Sequence, residues 1–181
     1  SLCIHVIGDA ALEMALKSFE RCAPSDNPLR HRLIHLQMAS RDQIKRIKRQ
    51  NLWVSLQPIF YDSDVALAPK VLGEQRYRLL GYPFAALYEE GVPIALSTDA
   101  PVERVDPWEN IRSALRFFPI QEVFHMYTYR SAQSGFDEER TGNLRKGGYA
   151  DALLFDKDPF ALNQSELEKI RPVNVLFNGK W

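Results

Sequence analysis

The sequence predicts an α/β fold, a parallel sheet with helical crossovers over residues 1–134 followed by a small β-rich part over residues 135–181. Short apolar runs alternate four times with segments whose apolar residues recur at helical spacing. The segments between the runs are long enough for the right-handed crossovers that parallel neighbours require. Beyond residue 134 the composition shifts, and Gly135, Gly142, Gly147 and Gly148 punctuate short strand-like runs.

Cys3-Ile4-His5-Val6-Ile7 reads as a short buried strand, and Gly8-Asp9 turns into a helix with Leu12, Ala15, Leu16 and Phe19 on one face. A loop rich in Pro, Ser and Asn leads to a second run, Leu33-Ile34-His35-Leu36. Ser40-Arg41-Asp42-Gln43 has the pattern of a capping box, and its helix carries Ile44 and Ile47 inward. The third strand, Trp53-Val54-Ser55-Leu56-Gln57, stops at Pro58, and a longer, partly helical stretch covers 65–90. The fourth strand is Pro93-Ile94-Ala95-Leu96-Ser97-Thr98-Asp99. Asp106-Pro107-Trp108-Glu109 joins an N-cap, a proline at the first helical position and an acid in the first turn, opening a helix to about Phe118. In the glycine-rich part, Asp151-Ala152-Leu153-Leu154-Phe155-Asp156 is strand-like and ends at Asp158-Pro159. The last strand, Pro172-Val173-Asn174-Val175-Leu176-Phe177, meets Asn178-Gly179, a strong hairpin signal with only Lys180 and Trp181 beyond it. The returning strand is expected to be vestigial, the first strand has no lead-in, and the chain reads as cut at both ends.

With 181 residues, 45% of them apolar and 11% aromatic, disorder and coiled coil are excluded. The 23 basic and 23 acidic side chains cancel, so no electrostatic footprint speaks for nucleic acid or an anionic membrane. No apolar run approaches the ~18 residues that span a bilayer, and the opening residues lack the charged and apolar regions of a signal peptide. A cytoplasmic protein is expected. Cys3 and Cys22 fall outside any C-x-x-C pattern and read as reduced, half-buried thiols. Lys45-Arg46-Ile47-Lys48-Arg49 reads as the wet face of a helix with Ile47 turned inward, and His31 and His125 read as structural or surface residues.

Three polar residues stand at the carboxyl ends of apolar strands: His5, His35 and Asp99. In parallel α/β architectures that rim is where ligands bind. Their separations, 35 − 5 = 30 and 99 − 35 = 64 residues, match one and two strand-helix units, so the three can converge. Two imidazoles and a carboxylate suit a divalent ion such as zinc, whereas each histidine taken alone is more often a hydrogen-bonded core residue.

A far more specific signal lies in longer blocks. His5-Val6-Ile7-Gly8-Asp9, Arg32-Leu33-Ile34-His35-Leu36-Gln37, Gln57-Pro58, Gly91-Val92-Pro93-Ile94-Ala95-Leu96-Ser97-Thr98-Asp99-Ala100-Pro101-Val102 and the tail from Gly142 to Pro159 occur in that order. In these blocks the chain resembles the amidohydrolase superfamily, in particular amidohydrolase family 3, the YtcJ-like proteins that include N-substituted formamide deformylases.

The resemblance implies the C-terminal half of a (β/α)₈ TIM-type barrel, strands five to eight, plus part of a small β-sandwich. A complete barrel of this type typically takes ~250 residues. His5 and His35 then stand as metal ligands on strands five and six, and Asp99 as the strand-eight acid that ligates metal and serves as the catalytic base. The family's H-x-H pair on strand one, and its lysine or glutamate on strand four, have no counterpart in this chain. The implied cofactor is a divalent metal, zinc first, one or two ions in the intact parent and none held tightly here. The implied reaction is hydrolysis of a non-peptide amide-type C–N bond of a small molecule by metal-activated water.

Asp9 and Gln37, just past the two histidines, are candidates for orienting the imidazoles, with helix capping the alternative for Asp9. Gln57, Asp64, Arg76 and Tyr82 are candidate substrate contacts, with solvated loop charges the alternative for Asp64 and Arg76. The expected partners are the missing N-terminal half of the barrel or a second copy, a dimer being the simplest homo-oligomer, because four parallel strands leave their outer edges unpaired. The alternatives are an inert, self-associating half-barrel and another metal-dependent barrel hydrolase of lactonase or phosphotriesterase type.

Overall fold

The computed structural model describes residues 1–167 and 169–181. Four short strands, β1 (Cys3–Val6), β2 (Arg32–His35), β3 (Trp53–Leu56) and β4 (Ile94–Leu96), form one parallel sheet in the order β1-β2-β3-β4. The register pairs His5 with Ile34, Ile34 with Ser55, and Ser55 with Ala95. Every crossover links sheet neighbours, so rank along the chain and rank across the sheet coincide.

Helix α1 (Asp9–Cys22) begins after Gly8 and buries Leu12, Ala15, Leu16 and Phe19, the predicted face. Asp9 is the first helical residue and does not cap it, since the N-cap position belongs to Gly8. Helix α2 (Arg41–Arg49) has the predicted capping box in both directions and buries Ile44 and Ile47. Of its basic cluster, Arg46 departs from the predicted wet face. Its side chain is 13% exposed and lies between Glu13 and Glu20 of α1, at 2.6 and 2.7 Å. Together these contacts hold α1 against α2 on one side of the sheet, where Val6, Leu33, Val54 and Leu96 supply the strand side of the core.

The stretch after β3 is four short helices, α3 (Ile59–Asp64), α4 (Ala68–Leu72), α5 (Glu74–Leu80) and α6 (Phe84–Glu89). Gly73, at φ +86°, makes the turn between α4 and α5 that other residues rarely adopt. Past β4, α7 (Pro107–Ala114) opens on Asp106, whose carboxylate accepts from the Trp108 backbone N–H at 2.9 Å. It stops four residues short of Phe118. Two further helices that the sequence reading did not separate, α8 (Ile120–Tyr127) and α9 (Tyr129–Ser134), pack against β4.

In the glycine-rich part, β5 (Ala152–Leu154) pairs antiparallel with β6 (Asn174–Leu176), and α10 (Gln164–Leu167) lies between them in sequence. Asn178 and Gly179, at φ +49° and +74°, turn the chain so that Phe177 bridges Lys180, the single bridged pair of that hairpin. Gly142 sits where a Cβ would meet that of Ala132 at 2.8 Å, which lets the glycine-rich loop lie directly on α9. Phe155 packs edge-on to Trp108 and Phe124, at 5.8 and 6.3 Å between ring centroids, and ties the β5 end to α7 and α8. Both cysteines are exposed rather than half-buried. Cys3 lies on the outer strand β1, where the Arg32 Nε–H donates to its Sγ at 2.9 Å, and Cys22 is the last residue of α1. Among the described residues, no helix is long and apolar enough to cross a membrane.

Candidate active site

Strict alternation along β2 would put His35 on the side of Leu33, in register with Val6 and among the helices. The backbone departs from alternation there. His35 takes φ +76°, and the Leu36 N–H donates to the Ile34 carbonyl at 3.1 Å, closing a γ-turn of the uncommon positive-φ kind centred on His35. The His35 ring then meets the His5 ring edge to face, with centroids 4.4 Å apart. Phe60 of α3 closes on the other side of His35 at 5.8 Å.

His35 is buried and His5 is exposed on the uncovered side of the sheet. Burial holds the His35 imidazole below the ordinary histidine value, and repulsion from His5 adds to this, while the Asp99 charge and the Gln57 side chain act in the opposite direction. The ring is thereby kept neutral with a nitrogen lone pair to offer. Asp99 follows β4 and takes φ +60°, a left-handed backbone unusual for a residue with a Cβ. Its charge reaches His35.

Gln57, 2% exposed, is the amide that acts on His35. Its Nε2 donates to Ser97 Oγ at 2.7 Å, and its buried Oε1 has no partner meeting hydrogen-bond geometry, although it lies near enough to His35 to favour the protonated ring. Asp9 and Gln37 have other partners. Asp9 accepts from Arg76 at 2.5 Å, and Gln37 Nε2 donates to Asp64 Oδ2 at 3.1 Å and to the Tyr82 hydroxyl at 3.0 Å. Tyr82 donates to the same Asp64 oxygen at 2.5 Å. Gln37, Asp64 and Tyr82 thus form one closed triangle, and they line a cavity of about 220 Å³ that opens beside Ile7 and Met38. Arg76 is half exposed and lies outside it.

The sequence reading missed Asn110 altogether. It is fully buried; its Oδ1 accepts from the Ile59 N–H at 2.8 Å, while its Nδ2 donates to the Ser97 carbonyl at 2.8 Å and to the Tyr127 hydroxyl at 2.6 Å. One amide of α7 therefore ties the start of α3 and the residue after β4 to α8, and Ser97 in turn accepts from Gln57. Burial pushes the Tyr127 hydroxyl up to about 12, so it stays protonated. The signal that could have found Asn110 is its place on the apolar face of α7, where Trp108, Ile111 and Ala114 are buried around it.

Two adjacent imidazoles, one of them held neutral, and a nearby carboxylate are the donor types a divalent ion takes. Among the described residues, no group of three or more His, Cys, Asp and Glu side chains is close enough to hold an ion by itself. The donors present fit part of a metal centre: the structure brings His5 and His35 together and keeps Asp99 at the distance of a charge effect.

The fold is thus α/β, with an imidazole pair at the carboxyl rim of a parallel sheet. The chain belongs to the amidohydrolase family, whose profile matches residues 1–181. It is 30% identical to YtcJ of Bacillus subtilis (strain 168), a protein named as an amidohydrolase, over 98% of this chain and 36% of that protein. It is 23% identical to the N-substituted formamide deformylase of Arthrobacter pascens, over 99% of this chain and 36% of the enzyme. Among solved structures, a metal-dependent hydrolase from Pyrococcus horikoshii OT3 superposes with a TM-score of 0.75 at 30% identity, covering 90% of this chain and 35% of that one. The chain thus spans about a third of the length of the curated relatives it matches.

Proposed function

We propose that this chain is part of a metal-dependent amidohydrolase that cleaves a non-peptide amide-type C–N bond, with β1 to β4 as strands five to eight, the C-terminal half of a (β/α)₈ barrel, and residues 135–181 as part of a small sandwich. The observation that carries the reading is the His5–His35 ring pair, 4.4 Å apart at the carboxyl ends of adjacent parallel strands. A divalent ion, zinc by donor preference, would be held by these two imidazoles together with donors from the rest of the barrel, and would supply Lewis-acid activation of water and of the amide carbonyl.

The chain's own residues do the remaining work. Asp99 takes a proton from the attacking water as its oxygen bonds to the carbonyl carbon, then returns a proton to the nitrogen as the C–N bond breaks. Acid and amine leave as the products. The γ-turn turns the His35 ring toward His5, and the Gln57 amide beside it favours the protonated ring. Asn110 fixes the Ser97 end of β4, two residues before Asp99.

Zinc uptake measured by equilibrium dialysis tests the donor assignment. The chain is expected to bind zinc weakly, and His5→Ala and His35→Ala to weaken uptake further. One ion held tightly per chain would overturn the assignment of the remaining donors to the rest of the barrel. Uptake indifferent to both substitutions would remove the imidazole ligands.

A second reading, an inert half-barrel that pairs with another copy, is favoured by the sheet's uncovered side, where Ile7 is 43% exposed beside the unpaired edge of β1.

A further inference from the structure

The cavity beside the imidazole pair has a chemical character of its own. Its walls are Ile7, Met38, Val71 and Leu72, and among the described residues lining it Asp64 is the one that carries a charge. Ile7 follows His5 by two positions and Gln37 follows His35 by two, so a group lodged here extends directly from the rim where the histidines stand. Asp64 receives both of its donors, Gln37 and Tyr82, on Oδ2. Burial and the Asp64 carboxylate both push the Tyr82 hydroxyl far above its ordinary range, so it remains a donor and fixes the carboxylate in place. Among the described residues Oδ1 has no hydrogen-bond donor, and Arg76 of the same excursion is taken by Asp9. A rigidly held carboxylate at the end of an apolar cavity complements a cation carried on an apolar body, and it repels an anion.

Size narrows the body. An apolar cavity of about 150 Å³ accepts one benzene ring. The 220 Å³ here has room for a compact branched or cyclic alkyl group together with an ammonium head.

We propose that this cavity is the substrate-recognition subsite, and that it selects amide substrates whose substituent is a compact alkyl group bearing a protonated amine, with Asp64 as the specificity-determining residue. The proposal rests on the hydrolase reading above for its link to turnover, but binding can be tested without it.

The test is NMR titration of the chain with three probes of one shape: cyclohexylammonium, cyclohexanol and cyclohexanecarboxylate. Cyclohexylammonium is expected to shift the signals of Met38, Val71 and Tyr77 and to bind more tightly than cyclohexanol, with cyclohexanecarboxylate not binding. Asp64→Asn, which keeps an acceptor for Gln37 and Tyr82, is expected to weaken the ammonium probe at least about tenfold and leave cyclohexanol unchanged. Val71→Trp, at a position 71% exposed and therefore safe for folding, is expected to block both. Equal affinity for the carboxylate, an Asp64→Asn chain that binds the ammonium unchanged, or shifts centred away from the cavity would each overturn the proposal. No hydrolysis enters this measurement, so loss of the hydrolase reading would appear in zinc uptake and not here.

Discussion

Burial and the neighbouring His5 ring both disfavour the imidazolium form of His35, which places its folded-state midpoint below the ordinary value of 6.5. Between that lowered midpoint and 6.5 the unfolded chain binds more protons at this site than the folded one. Stability from His35 is therefore fully present above 6.5 and is lost as pH falls toward the folded midpoint. An NMR titration of the imidazole Cε1 protons should find His35 below 6.5 and find it moved upward by His5→Ala; a midpoint at or above 6.5 would refute the account. Asn110 offers a second test at this scale. Asn110→Ala leaves the Ile59 N–H and the Ser97 carbonyl without their partner in a buried place. The expected loss is about 2 to 6 kcal/mol in urea unfolding, because each of the two orphaned groups costs about 1 to 3 kcal/mol. Neither the γ-turn at His35 nor the Asn110 clamp was legible beforehand. The first reverses the alternation from which facing is read, and the second joins residues 51 and 13 positions apart, a contact with no periodic trace.

Elements were legible in proportion to how local their causes are. Helix α2 is announced by Ser40 and Gln43, and both halves of that box form, at 3.2 and 3.0 Å. Gln43 also donates to the Asp9 carbonyl at 3.0 Å, so the cap fastens the start of α1 as well. Ser40→Ala should cost about 1 kcal/mol, the usual loss for an N-cap hydroxyl, read as a shift in the urea midpoint at unchanged slope. The stretch over 65–90 was read only as partly helical, and it divides into short helices because Gly73 and Gly81 break it. Helices α8 and α9 passed unseen although Ile120, Val123, Phe124 and Tyr127 stand at helical spacing. Pro119 just before α8 and the glycines beyond residue 134 mask that spacing, since both are signals of loops.

For the whole molecule, the sequence order of strands carried most of the architecture, since alternation of strand and helix admits few arrangements other than a parallel sheet. What alternation cannot give is which side of that sheet is left open. Helices α1 and α2 cover one side, while Cys3, His5 and Ile7 of the outer strand stand exposed on the other. An uncovered apolar side next to an unpaired edge favours association, so sedimentation velocity should show the weight-average mass rising with concentration. Placing a charge on that side, Ile7→Lys, should return it to the monomer value. A mass independent of concentration in the unaltered chain would remove self-association as a reading. The coincidence of chain order and sheet order also governs how the polypeptide can be made. Each strand of the sheet pairs with the strand just before it in the chain, so β1 to β4 can be laid down one at a time in the order of synthesis, while the contacts of Arg30 with Glu138 and of Arg32 with the Ser134 carbonyl close only after α9 has been made.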